Sequence, residues 1–335
     1  MLNIKFQKQK IMRSVLYALI PAAIGSVYFF GLRSLAIILV SIITCILTEW
    51  LFLRKQGAKV SEAILVTAVL YALSLPPTIP FFMVIIGAVF GVSFAKLAFG
   101  GFGMNVFNPA MVCRAFVYIT FPIQLTNVWI PAANFSDFPG GFTMWRFFSG
   151  SDYLSAVTSA TPNIAFKDGA ATIPSYLKLF LGNINGQYEK LGELTLIGGG
   201  SMGETSALLL LIGGLYIFYK KVANRKLVIS FLATYAIFSG IMHLIFPDQV
   251  SNPLISLLAG GAILGGFFIV TDPVSSPRTD TARWIYGALI AMLTVIIKSF
   301  SLFAGGLTFG VLLGNMFGPI IDHVVRNIKK RRQTA

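Results

Sequence analysis

Ten apolar stretches, most of them close to the length of a membrane crossing and nearly free of charge, limit what this chain can fold into. A hydrocarbon core about 30 Å thick takes roughly 20 apolar residues as helix. Inside it, every backbone polar group must be satisfied within the protein. The stretches run over 14–30, 34–53, 61–75, 79–99 and 108–121. After a long polar interval they resume over 205–219, 227–246, 255–270, 282–300 and 303–325. The third and fifth are short enough to be broken or re-entrant. Charged residues make up only 11% of the chain, against about 25% in soluble domains. The expected fold class is therefore all-α integral membrane, with about ten transmembrane helices.

Basic residues give these spans an orientation. Lys5, Lys8, Lys10 and Arg13 precede the first span, and Arg54, Lys55 and Lys59 follow the second. Lys220, Lys221, Arg225 and Lys226 follow the sixth, and Arg278 and Arg283 flank the turn from eighth to ninth. Arg326, Lys329, Lys330, Arg331 and Arg332 end the chain. Cytoplasmic loops are enriched in Lys and Arg. Ten spans put every one of these clusters, and both termini, on the cytoplasmic side; Arg33 alone disagrees. The net charge of +14 then reflects orientation, and no nucleic-acid partner is expected. The basic N-terminal flank lacks a small-residue cleavage site after its apolar run, so it reads as a first membrane helix, not a removed signal. The organisation expected is a first membrane repeat over 1–123, an extracytoplasmic loop over 124–204, and a second repeat with a basic tail over 205–335.

An internal echo supports the division. Phe99-Gly100, Asn105, Phe107 and Pro109 recur with the same spacing as Phe309-Gly310, Asn315, Phe317 and Pro319. Halves of five spans each must insert in opposite orientations. Inverted repeats place their sites at the interface between halves, often on broken helices.

Three Gly/Pro-rich breaks interrupt the spans: 75–80, 99–110 (Phe99-Gly100-Gly101-x-Gly103-x-Asn105-x-Phe107-Asn108-Pro109-Ala110) and 271–279 (beginning Thr271-Asp272-Pro273-Val274). Gly and Pro are also ordinary turn residues, so each break reads either as a turn or as enclosed backbone at membrane depth. Gly100-Gly101-x-Gly103 is not a dinucleotide fingerprint, because no strand precedes it. Glu49, Glu62, Lys96, Lys298 and Asp322 are ionisable residues in or beside spans, where such residues are costly. Glu62 and Asp322 lie towards the cytoplasmic ends and are candidates for an ion pathway. Lys96 and Lys298 are expected to snorkel. Ser201 and Glu204 have the spacing of a capping box at the start of the sixth span. Cys45 and Cys113 sit in apolar runs with no CxxC spacing, and two histidines are too few for a metal centre. The outer loop carries a hydroxyl-rich run, Ser155-Ala156-Val157-Thr158-Ser159-Ala160-Thr161-Pro162.

Taken in order, Gly100-Gly101-x-Gly103-x-Asn105-x-Phe107-Asn108-Pro109-Ala110, the Ser-Ala-Thr-Pro run, Gly200-Ser201-Met202-Gly203-Glu204 and Thr271-Asp272-Pro273-Val274 resemble the membrane subunit shared by two ion-pumping redox complexes. These are the D subunit of the Rnf complex, which couples ferredoxin and NAD, and the B subunit of the sodium-translocating NADH:quinone oxidoreductase. The resemblance runs from about Lys10 to Arg332. It implies two inverted five-helix halves with both termini cytoplasmic, in a bacterial inner membrane. It further implies FMN held by a phosphoester to a loop threonine and attached by a flavin transferase. The matching position is Thr161, although Ser155 and Ser159 stand where the family pattern has Asp and Gly. In the quinone-reducing relatives, carboxylates matching Glu62 and Asp322 are linked to sodium uptake. A second, non-covalent flavin (riboflavin), a quinone and other subunits of the complex belong to the same expectation. The chain would be a component of a translocase and not catalytic alone. The 75–80 break and the short N-terminal tail look more like the Rnf subunit, while the segment from Ile321 to Arg332 looks more like the quinone-reductase subunit. A channel or secondary transporter without flavin is the alternative of another class.

Overall fold

The computed structural model describes residues 5–126, 132–133, 140–143, 159–160, 175–184, 187–189, 195–198, 200–259, 261–301 and 305–334. Its first helices are α1 (Lys10–Phe30), α2 (Leu32–Leu53), α3 (Ala63–Leu73), α4 (Phe81–Val92, prolonged by a π turn over Ser93–Leu97) and α5 (Pro109–Thr120). Short helices α6 (Pro122–Thr126) and α7 (Tyr176–Leu181) follow. The second set is α8 (Ala207–Tyr219), α9 (Arg225–Ile245), α10 (Pro253–Leu258), α11 (Ala262–Leu264, prolonged by a π turn over Gly265–Ile269), α12 (Asp280–Phe300) and α13 (Gly306–Thr334). Among the described residues, five helices are long and apolar enough to cross a membrane: α1, α2, α9, α12 and α13. The fold is all-α and membrane-embedded.

Each sequence span coincides with helix, but not always with one helix. The stretch 255–270, expected to be a single span, is divided into α10, α11 and a π turn. Pro253 starts α10 at its first turn, where a missing N–H costs nothing, and the segment stops at Ala259. The third and fifth spans, short enough in sequence to be broken or re-entrant, are the short helices α3 and α5.

Packing relates the two sets. In the first, α2 packs on α3 and α4, and α4 on α5; in the second, α9 packs on α10 and α12, and α12 on α13. The first helices of the sets, α1 and α8, lie against each other, and so do the fifth, α5 and α13. The α1–α8 crossing depends on Gly213, where an added Cβ would stand 1.8 Å from the Ala18 carbonyl oxygen. Small residues at a crossing let backbones approach, which is the main source of helix association in lipid. Side chains such as Ile24, Ile43, Phe82, Ile119, Ile212 and Ile241 are exposed on the outside of the bundle. An apolar surface of this extent is what lipid covers. The internal echo falls on unlike structure: Phe99 to Pro109 is the break before α5, whereas Phe309 to Pro319 lies inside α13.

The described residues of the long loop include three short strands. Two-residue β3 (Ser159–Ala160) pairs in parallel with β5 (Thr195–Gly198), and β4 (Gln187–Glu189) pairs antiparallel to β5; earlier in the chain β1 (Phe6–Gln7) pairs in parallel with β2 (Val60–Ser61). Thr161 lies immediately after β3 and outside the described residues.

Arg33, the misfit of the charge count, has a structural use at the non-basic end. Its side chain is buried and donates from Nε to Pro77 O at 2.9 Å and from Nη2 to Ile79 O at 2.9 Å. Its guanidinium lies 5.0 Å over the Phe81 ring. The carbonyls freed by the break at 75–80 thereby find donors where water is scarce.

Candidate functional site

Two of the three sequence breaks meet at one cleft, at the end of the bundle that carries the basic clusters. Its walls come from both sets of helices: the starts of α1 and α3 and the 99–110 break on one side, the end of α8 and the 271–279 break on the other. Phe102, Phe267 and Phe268 line it together with Lys96, Asn105 and Asp272.

The glycine pattern of the first break is set by backbone geometry. Gly100, Gly101 and Gly103 have φ of +107°, +96° and +89°, a region that side-chain-bearing L-residues rarely enter. The Phe-Asn-Pro-Ala motif then starts α5. Asn108 Oδ1 caps the helix by accepting from Ala110 N and Met111 N at 3.1 and 3.3 Å, and Pro109 takes the first helical position. Asn108 N donates to Asn315 Oδ1 of α13 at 2.9 Å, and Asn315 Nδ2 donates to Tyr286 Oη at 2.6 Å. A residue of the echo thus touches its counterpart motif across the interface of the two sets. In the second break, Asp272 accepts from Val274 N at 3.3 Å and Ser275 Oγ at 2.8 Å, a local turn that fixes Thr-Asp-Pro-Val against the cleft.

Lys96 does not snorkel. It sits on the π turn after α4, is 2% exposed, and donates from Nζ to Glu49 Oε2 at 2.9 Å and to Ser61 Oγ at 2.6 Å. Ser61 Oγ also donates to Glu49 Oε1 at 2.9 Å. The extra residue of a π turn re-aims side chains and is common at functional sites; here it points the lysine inward to a carboxylate. Lys298 is half-buried and donates to Tyr235 Oη at 3.1 Å and Ser256 O at 3.3 Å.

The two candidate carboxylates are both engaged. Glu62 precedes α3 and accepts from Gln9 N and, through both oxygens, from Arg13 Nε at 2.9 and 3.0 Å. The Arg13 hydrogen bond holds its carboxyl below the usual carboxylate range. Asp322 of α13 accepts from Arg278 N, Thr279 N and Thr279 Oγ1 at 2.8, 2.9 and 2.7 Å, and so closes the start of α12. A cation reaching either acid would have to share it with these donors.

Ser201 and Glu204 do not form the expected capping box. The cap of α8 is Ser206, whose Oγ accepts from Leu209 N at 3.5 Å. Glu204 instead forms an ion pair with buried Arg114 of α5 at 3.0 Å. The preceding Met202 N and Gly203 N donate to Leu75 O and Leu73 O, at 3.1 and 2.7 Å, where α3 breaks. Cys45 and Cys113 are buried and unpaired. Among the described residues no group of three His, Cys, Asp or Glu could hold a metal ion.

Arg13, Arg114 and Asp272 are site residues that sequence reasoning misses. Arg13 reads as one more basic flanking residue, Arg114 lies mid-span without a visible partner, and Asp272 stands just beyond a span boundary.

Comparison with known proteins finds relatives over nearly the whole chain. Residues 2–330 match the NQR2, RnfD, RnfE family. Among curated proteins, the chain is 34% identical to the D subunit of the ion-translocating oxidoreductase complex of Aeromonas hydrophila, covering 96% of this chain and 93% of that one. It is also 34% identical to the protein of that name from Halorhodospira halophila, covering 94% and 89%, and from Escherichia coli, covering 96% and 93%. The chain belongs to the NQR2, RnfD, RnfE family.

Proposed function

We propose that this chain is the membrane subunit of an Rnf-type ion-translocating oxidoreductase complex, carrying FMN on Thr161 and coupling electron passage to movement of Na+ or H+. It works as one component of a translocase, with the other subunits supplying electron donor and acceptor. The observation that carries the reading is the convergence of Gly-Gly-x-Gly-x-Asn-x-Phe-Asn-Pro-Ala and Thr-Asp-Pro-Val, far apart in sequence, on one cleft between the two sets of helices. A plain structural anchor gives no reason for such a site.

The cleft suits a second, non-covalent flavin such as riboflavin. Phenylalanine walls match a flat aromatic ring, and Lys96, Asn105 and Asp272 supply donors and acceptors for a polar ring edge. Lys96 has three ammonium donors, of which Glu49 and Ser61 take two. A bound flavin would supply one- and two-electron chemistry; the chain's own residues bind it, orient it and set the charge around it. Glu62 and Asp322 are the proposed points of cation entry. They stand beside the cleft's first wall and at the start of α12, where an ion competes with Arg13 or with the 278–279 backbone.

One experiment separates these readings. The purified complex is denatured, run on a gel and viewed under ultraviolet light while the supernatant is assayed for released flavin. Fluorescence should remain on this polypeptide and vanish in Thr161→Ala, while free flavin is released from both. Fluorescence that survives Thr161→Ala refutes the attachment site. Neither kind of flavin in the native complex would favour the transporter reading.

A further inference from the structure

The chain before α1 ties itself to the start of α3. Phe6–Gln7 pairs in parallel with Val60–Ser61, and Val60 N donates to Lys5 O at 3.0 Å. Gln9 engages the start of α3 in both directions: its N–H donates to Glu62, and its Oε1 accepts from Ala63 N at 3.0 Å. Arg13 adds its Nε and Nη2 donors to the same carboxylate. Within and just beyond this stretch, Ile11, Met12 and Val15 line the cleft together with Ala63, Val66 and Thr67. One short segment therefore closes a wall of the cleft and hangs from one carboxylate.

What else holds the segment is small. Two residues of strand are far too few to be stable alone, and both Phe6 and Gln7 are exposed. Gln9 Nε2 is buried without a hydrogen-bond partner, a cost of the closed arrangement. The segment carries Lys5, Lys8, Lys10 and Arg13, and Lys59 adjoins β2. Facing Glu62 are Arg13 and Lys8, with Tyr17 behind Arg13. Up to Glu62 the only other acid in the chain is Glu49, already paired with Lys96. Cancelling the Glu62 charge removes the charge-assisted bonds and leaves like charges in proximity. Ser61 joins the two ends of the device: its backbone pairs with the segment, and its hydroxyl holds cleft-lining Lys96.

We propose that residues 5–13 form a latched strap over the cleft, held shut by Glu62 and released when a cation or a proton neutralises that carboxylate. The strap opens the cleft to the basic side only while the acid is occupied. The proposal rests on the contacts of Gln9 and Arg13 and holds whether or not a flavin fills the cleft.

The test measures access to the cleft in the assembled complex, in vesicles with the basic face outward. Thr67→Cys places a thiol on the cleft wall; Cys45 and Cys113 are each 0% exposed and give a low blank. Labelling of this chain by a membrane-impermeant maleimide should be slow with Glu62 intact. It should rise about tenfold in Glu62→Gln, the factor expected for losing one charge-assisted hydrogen bond. Arg13→Gln should do the same and serves as the second arm if Glu62→Gln fails to assemble. A disulfide between Phe6→Cys and Val60→Cys, which face each other in register, should return labelling to the slow rate until reductant is added. Labelling of both charge variants at the parent rate overturns the proposal. Equally fast labelling of the disulfide-locked and unlocked proteins also overturns it.

Discussion

Replacing Glu49 by glutamine is the most searching test of how the cleft is built. The Lys96 and Glu49 side chains are 2% and 1% exposed and meet at 2.9 Å. The glutamine amide would still accept from Ser61 through its oxygen, but its NH2 would face the Lys96 ammonium, so the substitution removes both the negative charge and the acceptor of the lysine. An ammonium is then left buried without its counterion, which costs about 3–5 kcal/mol when one partner of a buried pair is deleted. The double change Glu49→Gln with Lys96→Met removes both charges at similar volume. It should be within about 1 kcal/mol of the parent, since buried pairs exchanged for neutral groups are often energetically neutral. The assay is unfolding of the purified protein by SDS in mixed micelles, followed by the fluorescence of Trp50 beside the pair. The reasoning fails if Glu49→Gln costs less than about 1 kcal/mol, or if the double variant is as unstable as the single one.

Two further outcomes follow from the same geometry. Arg33→Leu should destabilise by about 2–4 kcal/mol in the same titration, because the Pro77 and Ile79 carbonyls lose their donor at membrane depth; a loss under about 1 kcal/mol would show that the break finds other partners. The strap should also respond to pH in a definite direction. Glu62 is held below the usual carboxylate range by Arg13, so its contribution is complete above the unfolded-state value of about 4.3 and is lost as pH falls through the lower folded value. Hydrogen exchange of the N-terminal peptide, corrected for intrinsic rate, should therefore stay flat from neutral pH to about 5 and rise only below about 4; a rise between 5 and 7 contradicts the assignment.

Much of the fold is legible in the sequence because lipid imposes one rule on every segment. A run such as 34–53 has to be helix, and α2 covers it. The stretch 255–270 obeys the same rule yet is divided, because Gly261, Gly265 and Gly266 weaken helix while adding nothing to polarity. Hydropathy averages over such breaks. The motifs are legible as places where chemistry is possible, but not as a cleft, since the contact of Asn108 with Asn315 joins residues that share no local pattern. The same limit hides the partners of Lys96. A lysine near the end of a span looks like one that reaches water; only a π turn, which has no clear composition, turns it towards Glu49.

The two lysines expected to snorkel show how the two helix sets differ in chemistry while agreeing in plan. Each lies near the C-terminal end of the fourth long segment of its set, Lys96 after α4 and Lys298 on α12. Each is gripped by the second helix and by a serine near the start of the third segment: Glu49 and Ser61 in one set, Tyr235 and Ser256 in the other. The start of α1 and the end of α8 meet at the same cleft, so the two sets run in opposite directions and the two clusters stand at opposite ends of the bundle. Burial decides their composition. Lys96 is closed off from solvent and needs a carboxylate to exist as an ion, whereas half-buried Lys298 can rest on a hydroxyl and a carbonyl because its head stays partly hydrated. The Lys96–Glu49 pair, neutral overall, therefore adjoins the cleft and adds no fixed net charge to it. The lysine without a carboxylate stands away from the cleft, at the end of the bundle that bears the long loop.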